Sequence, residues 1–397
     1  MGTSHAVKKK IIFVISRMAI GGSQKSLVNA LCALDYDQYD VTLYVRENKT
    51  ELISELPANV KVIVNTNKRR YEHTPYTLFL YFLILFFGLI GKKSLANRLD
   101  NRSRNYIVKR KTNYEKKHYK EILNQKYDIA ISYLQGYTCK FTYDCVTADR
   151  MICFYHNSTD ALPDIHKEYL NRFDTIVVIS EETKDFLSKR CPIINDRILV
   201  IKNLINIEDI RDKSKKKTIN RENGITYLCT CGRMSPEKGY DLAIDAASLL
   251  KKQKSNFRWF FVGDGPEVSK LKKETEEHNL SDNILFLGSQ ENPYPWIAQC
   301  DIYIQPSYEE AQGLTIMEAQ ILHKPIISTK TVGAKTIISD YQTGLLCDIN
   351  AEALSEGIAR LMDDKALCNQ LTENTKQIDY QSYNHQIEKQ WDKLLAE

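Results

Sequence analysis

The sequence predicts an α/β protein built from two doubly wound parallel sheets, one in each half of the chain. Three observations carry this. Short, near-continuously apolar runs alternate with amphipathic helical segments from end to end, and strands apolar on both faces belong to parallel sheets covered by helices on both sides. A polar, basic stretch at Arg211–Asn223, which includes Lys213 and Lys215–Lys217, interrupts the alternation. After that break the same alternation restarts, as expected for a second domain after a linker.

In the first half, strands are expected at Lys10–Ser16, Val41–Val45, Val60–Val64, Tyr127–Tyr133, Arg150–Tyr155 and Thr175–Ile179, with helices at Ser23–Leu34 and Glu181–Lys189. In the second half, strands are expected at Ile225–Cys229, Arg258–Val262, Asn283–Leu287, Asp301–Gln305, Pro325–Ser328 and Gly344–Cys347. Helices are expected at Tyr240–Lys251 and Glu267–His278. A terminal helix presents Tyr383, Ile387, Trp391 and Leu394/Leu395 on one stripe. The chain of 397 residues is thus divided into 1–207, a linker at 208–223, a second domain at 224–375 and the helix at 376–397.

Composition excludes several classes. Apolar residues make up 43% and charged residues 26%, which is globular rather than disordered. The ten cysteines are scattered and form no CxxC pair, so they read as reduced core thiols with no metal site. Met1–Lys10 has no secretory apolar core, so a cytoplasmic protein is expected. Asp35-Tyr-Asp37 spells a DxD string, but it sits in a polar turn after a helix and is taken as chance.

Four segments that follow strands carry the candidate chemistry. In Arg17–Ser23, Gly21 and Gly22 let the backbone turn, and Ser23 can cap the next helix. In Cys231–Gly239, Arg233 and Lys238 flank a strand-to-helix turn and can converge on one anion, one as a planar fork and one as a point charge. Taken alone, they read equally well as two surface cations at a helix start. In Phe261–Glu267, Gly263 and Gly265 open another such turn. In Pro306–Ala319, Glu310 lies before a helix beginning near Leu314 and Glu318 lies one turn inside it. The N–H groups of Gly313, Leu314 and Thr315 are expected to be unpaired helix-start donors.

The runs Gly232–Gly239 (GRMSPEKG) and Gly263–Glu267 (GDGPE), with the Glu310…Glu318 pair in EEAQGLTIMEA, resemble the family 4 retaining glycosyltransferases, which have the GT-B fold. The order and spacing match from about Thr230 to Asp348. IGGSQKSLVNAL and Phe154–Asn157 match more loosely. The resemblance implies two Rossmann-like domains facing across a cleft, with the terminal helix returning toward the first. It implies that Arg233 and Lys238 hold a donor diphosphate, that Glu318 meets the ribose, and that Glu310 and its neighbouring backbone orient the donor sugar. His156 is expected against that sugar, and Gly21 and Gly22 close over the donor. A UDP-sugar is the favoured donor, with no cofactor and no metal. Two departures stand out. The family often has Gly-Phe-Gly after the first Glu, where this chain has Ala311-Gln312-Gly313, and the tandem Glu309-Glu310 leaves the first position ambiguous by one.

Tyr76–Gly91 is sixteen residues without a charge, flanked by Lys68-Arg69-Arg70 and by Lys92–Lys120, where eleven Lys/Arg face two acids. Such a segment suits an anionic membrane surface, with an ordinary buried helix of the first domain and a true membrane span as the alternatives. The expectation is a peripheral protein on the inner face of the cell membrane, acting on a lipid-linked glycan in surface polysaccharide synthesis, with no nucleic-acid partner. The competing readings are a nucleotide-sugar epimerase of the same fold and a non-catalytic nucleotide-sugar-binding protein.

Overall fold

The computed structural model describes residues 7–66, 74–156 and 164–397. The Lys68–Arg70 run, Asn157 and Met1–Ala6 lie outside the described residues. The chain forms two compact units. The first comprises Met1–Ala19, Leu31–Val178 and Phe186–Leu199. The second comprises Ile20–Ala30, Ile179–Asp185 and Val200–Glu397. Composition sets the expected division at 207/208, whereas contacts divide the chain at Leu199/Val200 and assign two short stretches of the first half to the second unit.

The sheet of the first unit contains β1 (Lys9–Ile15), β2 (Tyr39–Val45), β3 (Lys61–Val64), β4 (Lys126–Ser132), β5 (Thr147–Tyr155), β6 (Thr175–Val178) and β7 (Ile198–Val200), in the order β3-β2-β1-β4-β5-β6-β7. Its interior strand β1 pairs in parallel with β2 and β4, with Phe13 aligned to Leu43 and Ile131. Ile11–Ile15 are fully buried, as a run apolar on both faces requires. The helices between these strands are α1 (Gly22–Cys32), α2 (Pro75–Leu89), α3 (Lys93–His118), α4 (Lys120–Leu123), α5 (Tyr137–Cys145), α6 (Asp164–Leu170) and α7 (Glu181–Arg190).

Two of these helices have clear physical supports. Thr74 caps α2 in a reciprocal box with Thr77, and Pro75 opens its first turn. The long basic α3 is fastened to the sheet by a buried ion pair. Arg46, just past β2, donates to both carboxylate oxygens of Glu115 at 2.8 and 3.2 Å, and Tyr44 adds a hydroxyl at 3.3 Å. The Arg46 guanidinium also sits 4.1 Å from the Phe141 ring centre.

The second unit repeats the plan. Its strands are β8 (Thr226–Cys231), β9 (Phe257–Val262), β10 (Ile284–Gly288), β11 (Ile302–Gln305), β12 (Ile326–Thr329) and β13 (Leu345–Cys347), ordered β10-β9-β8-β11-β12-β13 and parallel throughout. The helices are α8 (Ile207–Lys213), α9 (Tyr240–Gln253), α10 (Val268–Glu277), α11 (Tyr294–Gln299), α12 (Leu314–Ile321), α13 (Val332–Ile337), α14 (Ala351–Asp363), α15 (Lys365–Thr375) and α16 (Tyr380–Ala396). Thr331, Asn350, Asp364 and Asp379 cap α13 through α16 with side-chain oxygens. The start of the polar segment expected as a linker is helical: α8 buries Ile207 and Ile210, the apolar residues that the surrounding charges obscure.

The strand order decides where chemistry can sit. From β8 the chain winds outward to β10, then crosses to β11 and winds the other way to β13. The carboxyl ends of β8 and β11 therefore flank a topological switch point, where the two following loops diverge and leave a crevice.

Candidate active site

Two of the four candidate segments leave the sheet at that switch point, and a third packs on them. β8 ends at Cys231 and delivers Gly232–Gly239. β11 ends at Gln305 and delivers Pro306–Gly313. The Gly263–Glu267 turn, after β9, lies directly on the first loop: Met234 N–H donates to the Asp264 carbonyl at 3.0 Å, and Glu267 N–H donates to the Met234 carbonyl at 3.1 Å. This contact explains both glycines of the turn. A Cβ on Gly263, whose φ is +144°, would sit 1.9 Å from the Gly232 carbonyl oxygen, and one on Gly265 would sit 2.1 Å from that of Met234.

The loops after β8 and β11 are laced together by backbone. Tyr308 and Glu309 N–H both donate to the Glu237 carbonyl, at 2.9 and 3.2 Å. Gly239 has φ +65°, and a Cβ there would meet the Pro306 carbonyl oxygen at 2.1 Å. Gly333 N–H holds the Glu310 carbonyl from the far side at 2.9 Å.

This lacing sets the side chains. Lys238 Nζ donates to Glu310 Oε1 at 2.7 Å, with the Glu310 side chain 8% exposed. The same oxygen accepts from Gln305 Nε2 at 2.9 Å and from Ser307 Oγ at 3.1 Å. Gln305 is in turn oriented by the Tyr303 and Thr315 hydroxyls, which donate to its Oε1 at 2.8 and 3.0 Å. Arg233 is exposed on the same loop as Lys238. Gly313, at φ +64°, opens α12, and among the described residues none accepts from the N–H groups of Gly313, Leu314 or Thr315. That leaves an unspent, positively polarised helix start near two cationic side chains.

Glu318 lies in the second turn of α12 and is buried. Burial pushes its carboxyl up to about 7, opposed by the Lys25 charge and by a 3.4 Å bond from the Tyr294 hydroxyl. Lys25 sits 5.2 Å over the Tyr294 ring and 3.7 Å from Asp209. Neither Glu310 nor Glu318 is a solvated surface acid. Lys25 follows Gly21 and Gly22 by one helical turn, so those glycines share the second unit with Glu318. Contacts do not demand glycine at either position: a Cβ on Gly22 meets nothing within 4 Å, and one on Gly21 meets only the end of the Gln24 side chain.

The departure at Gln312 has a structural reason. Its Oε1 accepts from Asn203 N–H at 3.0 Å and Asn203 Nδ2 at 2.7 Å, and its Nε2 donates to the Tyr383 hydroxyl at 2.7 Å. Tyr383 donates back to the Asn203 carbonyl, and Ser26 Oγ donates to Asn203 Oδ1 at 2.5 Å. Tyr383, expected only as part of an apolar stripe, is a polar bracket for this loop.

His156 lies in the first unit, just past β5. Its ring packs at a tilt of 43° against Tyr133, 5.1 Å between ring centres, and its backbone N–H donates to Gln135 Oε1 at 3.2 Å. Burial lowers its imidazole to about 4, so it is neutral at pH 7. Its buried Nε2 has no hydrogen-bond partner among the described residues. The structure thus gathers Gly21, Gly22, Arg233, Lys238, Gly263, Glu310, Gly313, Leu314, Thr315 and Glu318 in one unit and holds His156 in the other.

Sequence reasoning passed over Gln305, Gly239, Lys25 and Asn203. Gln305 carried a signal: a polar residue closing an otherwise apolar strand at its carboxyl end. Gly239 carried one in the Lys-Gly pair before a helix. Lys25 and Asn203 act through long-range contacts that no local pattern announces.

Residues 210–378 match the family model for glycosyl transferases group 1. The match lies within the second unit and takes in none of the first. The chain is 31% identical, over 56% of its length, to an exopolysaccharide phosphotransferase of Streptomyces coelicolor, covering 23% of that protein. It is 23% identical, over 55% of its length, to a poly(ribitol-phosphate) alpha-N-acetylglucosaminyltransferase of Staphylococcus aureus, covering 42% of it. The chain thus spans from about a quarter to just over half of the length of the curated relatives it matches. Its structure is similar along nearly the whole chain to Anabaena HepE, solved in complex with UDP-glucose. The TM-score is 0.67 and the identity 18%, with 97% of this chain and 99% of that one covered. That likeness establishes the GT-B type of two-domain α/β fold.

Proposed function

We propose that this chain is a group 1 glycosyltransferase that moves a hexose-type sugar from UDP to a hydroxyl of a glycan acceptor, with retention at the anomeric carbon and without a metal. The observation that carries the proposal is the Lys238–Glu310 pair at the β8/β11 switch point, with Arg233 and the open start of α12 beside it. Cations and unpaired N–H groups fixed before a ligand arrives stabilise the charge that develops on a departing diphosphate.

In this reading Arg233 and Lys238 take the diphosphate, helped by the N–H groups of Gly313, Leu314 and Thr315. Glu318 accepts from ribose hydroxyls, and Glu310 orients the hexose once the diphosphate competes for Lys238. Gly21 and Gly22 lie along the donor. Gly263 keeps the Arg233 loop in place. His156 takes the role that the family resemblance assigns, contact with the donor sugar, for which its neutral ring and unpartnered Nε2 are suited. The bond from the anomeric carbon to the diphosphate oxygen breaks as the bond to the acceptor oxygen forms on the same face, and the acceptor proton leaves with the diphosphate.

UDP as carrier is supported by the UDP-glucose complex of HepE, and a polysaccharide acceptor by the names of the relatives. The charged, apolar 76–120 region supports a lipid-linked acceptor at the inner face of the cell membrane. The test is incubation with a panel of nucleotide sugars, with and without membrane extract. Acceptor-dependent UDP release with an α-linked product from an α-linked donor is expected. Acceptor-free isomerisation supports an epimerase instead, and binding without turnover supports a non-catalytic protein.

A further inference from the structure

The α2–α3 hairpin of the first unit carries a surface that the donor chemistry does not use. α2 has no charged residue over its fifteen positions. One side, with Thr77 and Leu80 buried, packs on α3, where Tyr76 meets Tyr106 edge to face at 4.7 Å. The other side exposes Leu78, Phe79, Phe82, Leu85, Phe86 and Leu89, each between 47% and 88% accessible. These recur at three- and four-residue steps and so form one stripe, on the face where a helix in water carries polar groups. A contiguous apolar patch of this kind marks an interaction surface.

The neighbouring charges say which partner. Lys92–Lys120 holds eleven Lys/Arg and two acids. Both acids are engaged internally, Glu115 with buried Arg46 and Asp100 with Arg104. Lys93, Arg98, Arg102, Lys109 and Arg110 remain exposed along α3. At a rise of 1.5 Å per residue α2 is about 22 Å long, short of the roughly 30 Å hydrocarbon core. Among the described residues no helix is long and apolar enough to cross a membrane.

From these features we infer that the hairpin docks on an anionic phospholipid bilayer, with α2 lying in the interface, its stripe among the upper acyl chains and the α3 cations on lipid phosphates. A second copy of this chain is disfavoured by charge, because a symmetric contact through the stripe brings two strongly basic α3 helices together. The inference deepens the membrane-side acceptor reading and rests on it for its purpose, since docking would hold the enzyme where a lipid-linked acceptor is found.

The test floats the full chain with phosphatidylcholine vesicles and with vesicles that also contain phosphatidylglycerol, and measures UDP binding on the same preparations. The wild type is expected to float with the anionic vesicles only, less so at high salt. The F82E/L85E variant is expected to lose flotation at least about tenfold, and K109E/R110E to weaken it, both with UDP binding unchanged. A wild type that stays in the soluble fraction overturns the inference, as does an F82E/L85E variant that floats equally well. Self-association abolished by F82E/L85E, without vesicle binding, overturns it in favour of a second copy. Flotation without UDP binding would instead count against the donor-site reading and leave docking standing.

Discussion

Lys238 and Glu310 meet at 2.7 Å although 72 residues separate them, one on the loop after β8 and the other on the loop after β11. The pair holds a cation ready at the switch point and leaves a carboxylate to be redeployed when an anion takes the lysine. Lys238→Ala is expected to lower kcat/KM by about 10²–10³-fold, as removal of one preorganised group from a charge-stabilising site does. Glu310→Gln keeps the bonds to Gln305 and Ser307 in reach and should reduce kcat more than it raises the donor KM. Steady-state kinetics on variants of unchanged circular dichroism check both.

Glu318 gives the site a pH signature. Its carboxyl titrates at about 7, so its ionised form, the stronger acceptor for hydroxyls, fills as pH rises through 7. Donor affinity is expected to improve between pH 6 and 8 in the wild type and to stay flat in Glu318→Gln. Stability should move the other way. A carboxyl whose folded pKa lies above its unfolded value costs nothing below the unfolded value, and it weakens the fold as pH rises toward and past 7. Glu318→Gln should therefore raise Tm relative to wild type at pH 8 and not at pH 5.

His156 has the opposite sign. Its folded pKa is depressed to about 4 from 6.5, so its contribution is intact above the unfolded value and is lost as pH falls from 6.5 toward 4. Replacing it with Asn should flatten that part of the stability profile, measured by chemical unfolding at stepped pH.

The glycine lattice predicts damage at a distance. Gly263→Ala places a methyl 1.9 Å from the Gly232 carbonyl and must move one loop. A Tm loss with an increase in donor KM is expected, because Arg233 rides on the displaced segment. Gly22→Ala, with open space around it, should leave Tm within error.

Gln312→Phe tests the departure from the common family pattern. A phenyl ring there removes the bonds to Asn203 and Tyr383 and leaves the buried Asn203 N–H and Nδ2 groups without their Gln312 acceptor. Each unsatisfied group costs about 1–3 kcal/mol. The variant should be clearly destabilised in urea unfolding, even though the phenyl is the residue the family often carries.

Much of this was legible in the chain itself. Ile11–Ile15 of β1 and Trp259–Val262 of β9 announced themselves as unbroken apolar runs, and the spacing of GRMSPEKG, GDGPE and Glu310…Glu318 placed the candidate groups on loops and a helix start after strands. What stayed hidden depends on contacts far apart in sequence. The burial of Glu318 beside Lys25 and Tyr294 joins three separate segments. The Asn203–Gln312–Tyr383 bracket spans 180 residues from Asn203 to Tyr383. The α8 helix was masked because charged residues surround the two isoleucines it buries. Gly263 and Gly265 read in the sequence as the opening of a strand-to-helix turn, and their tightest contacts are with the neighbouring loop's backbone.

Equilibrium binding of UDP to the wild type, Arg233→Ala and Lys238→Ala tests the central claim most directly. Saturable binding to the wild type and at least about tenfold weaker binding to each variant are expected, with thermal stability near that of the wild type. Wild-type protein that does not bind UDP, or variants that bind it with unchanged affinity, would contradict the assignment of the β8/β11 switch point as the nucleotide-sugar site.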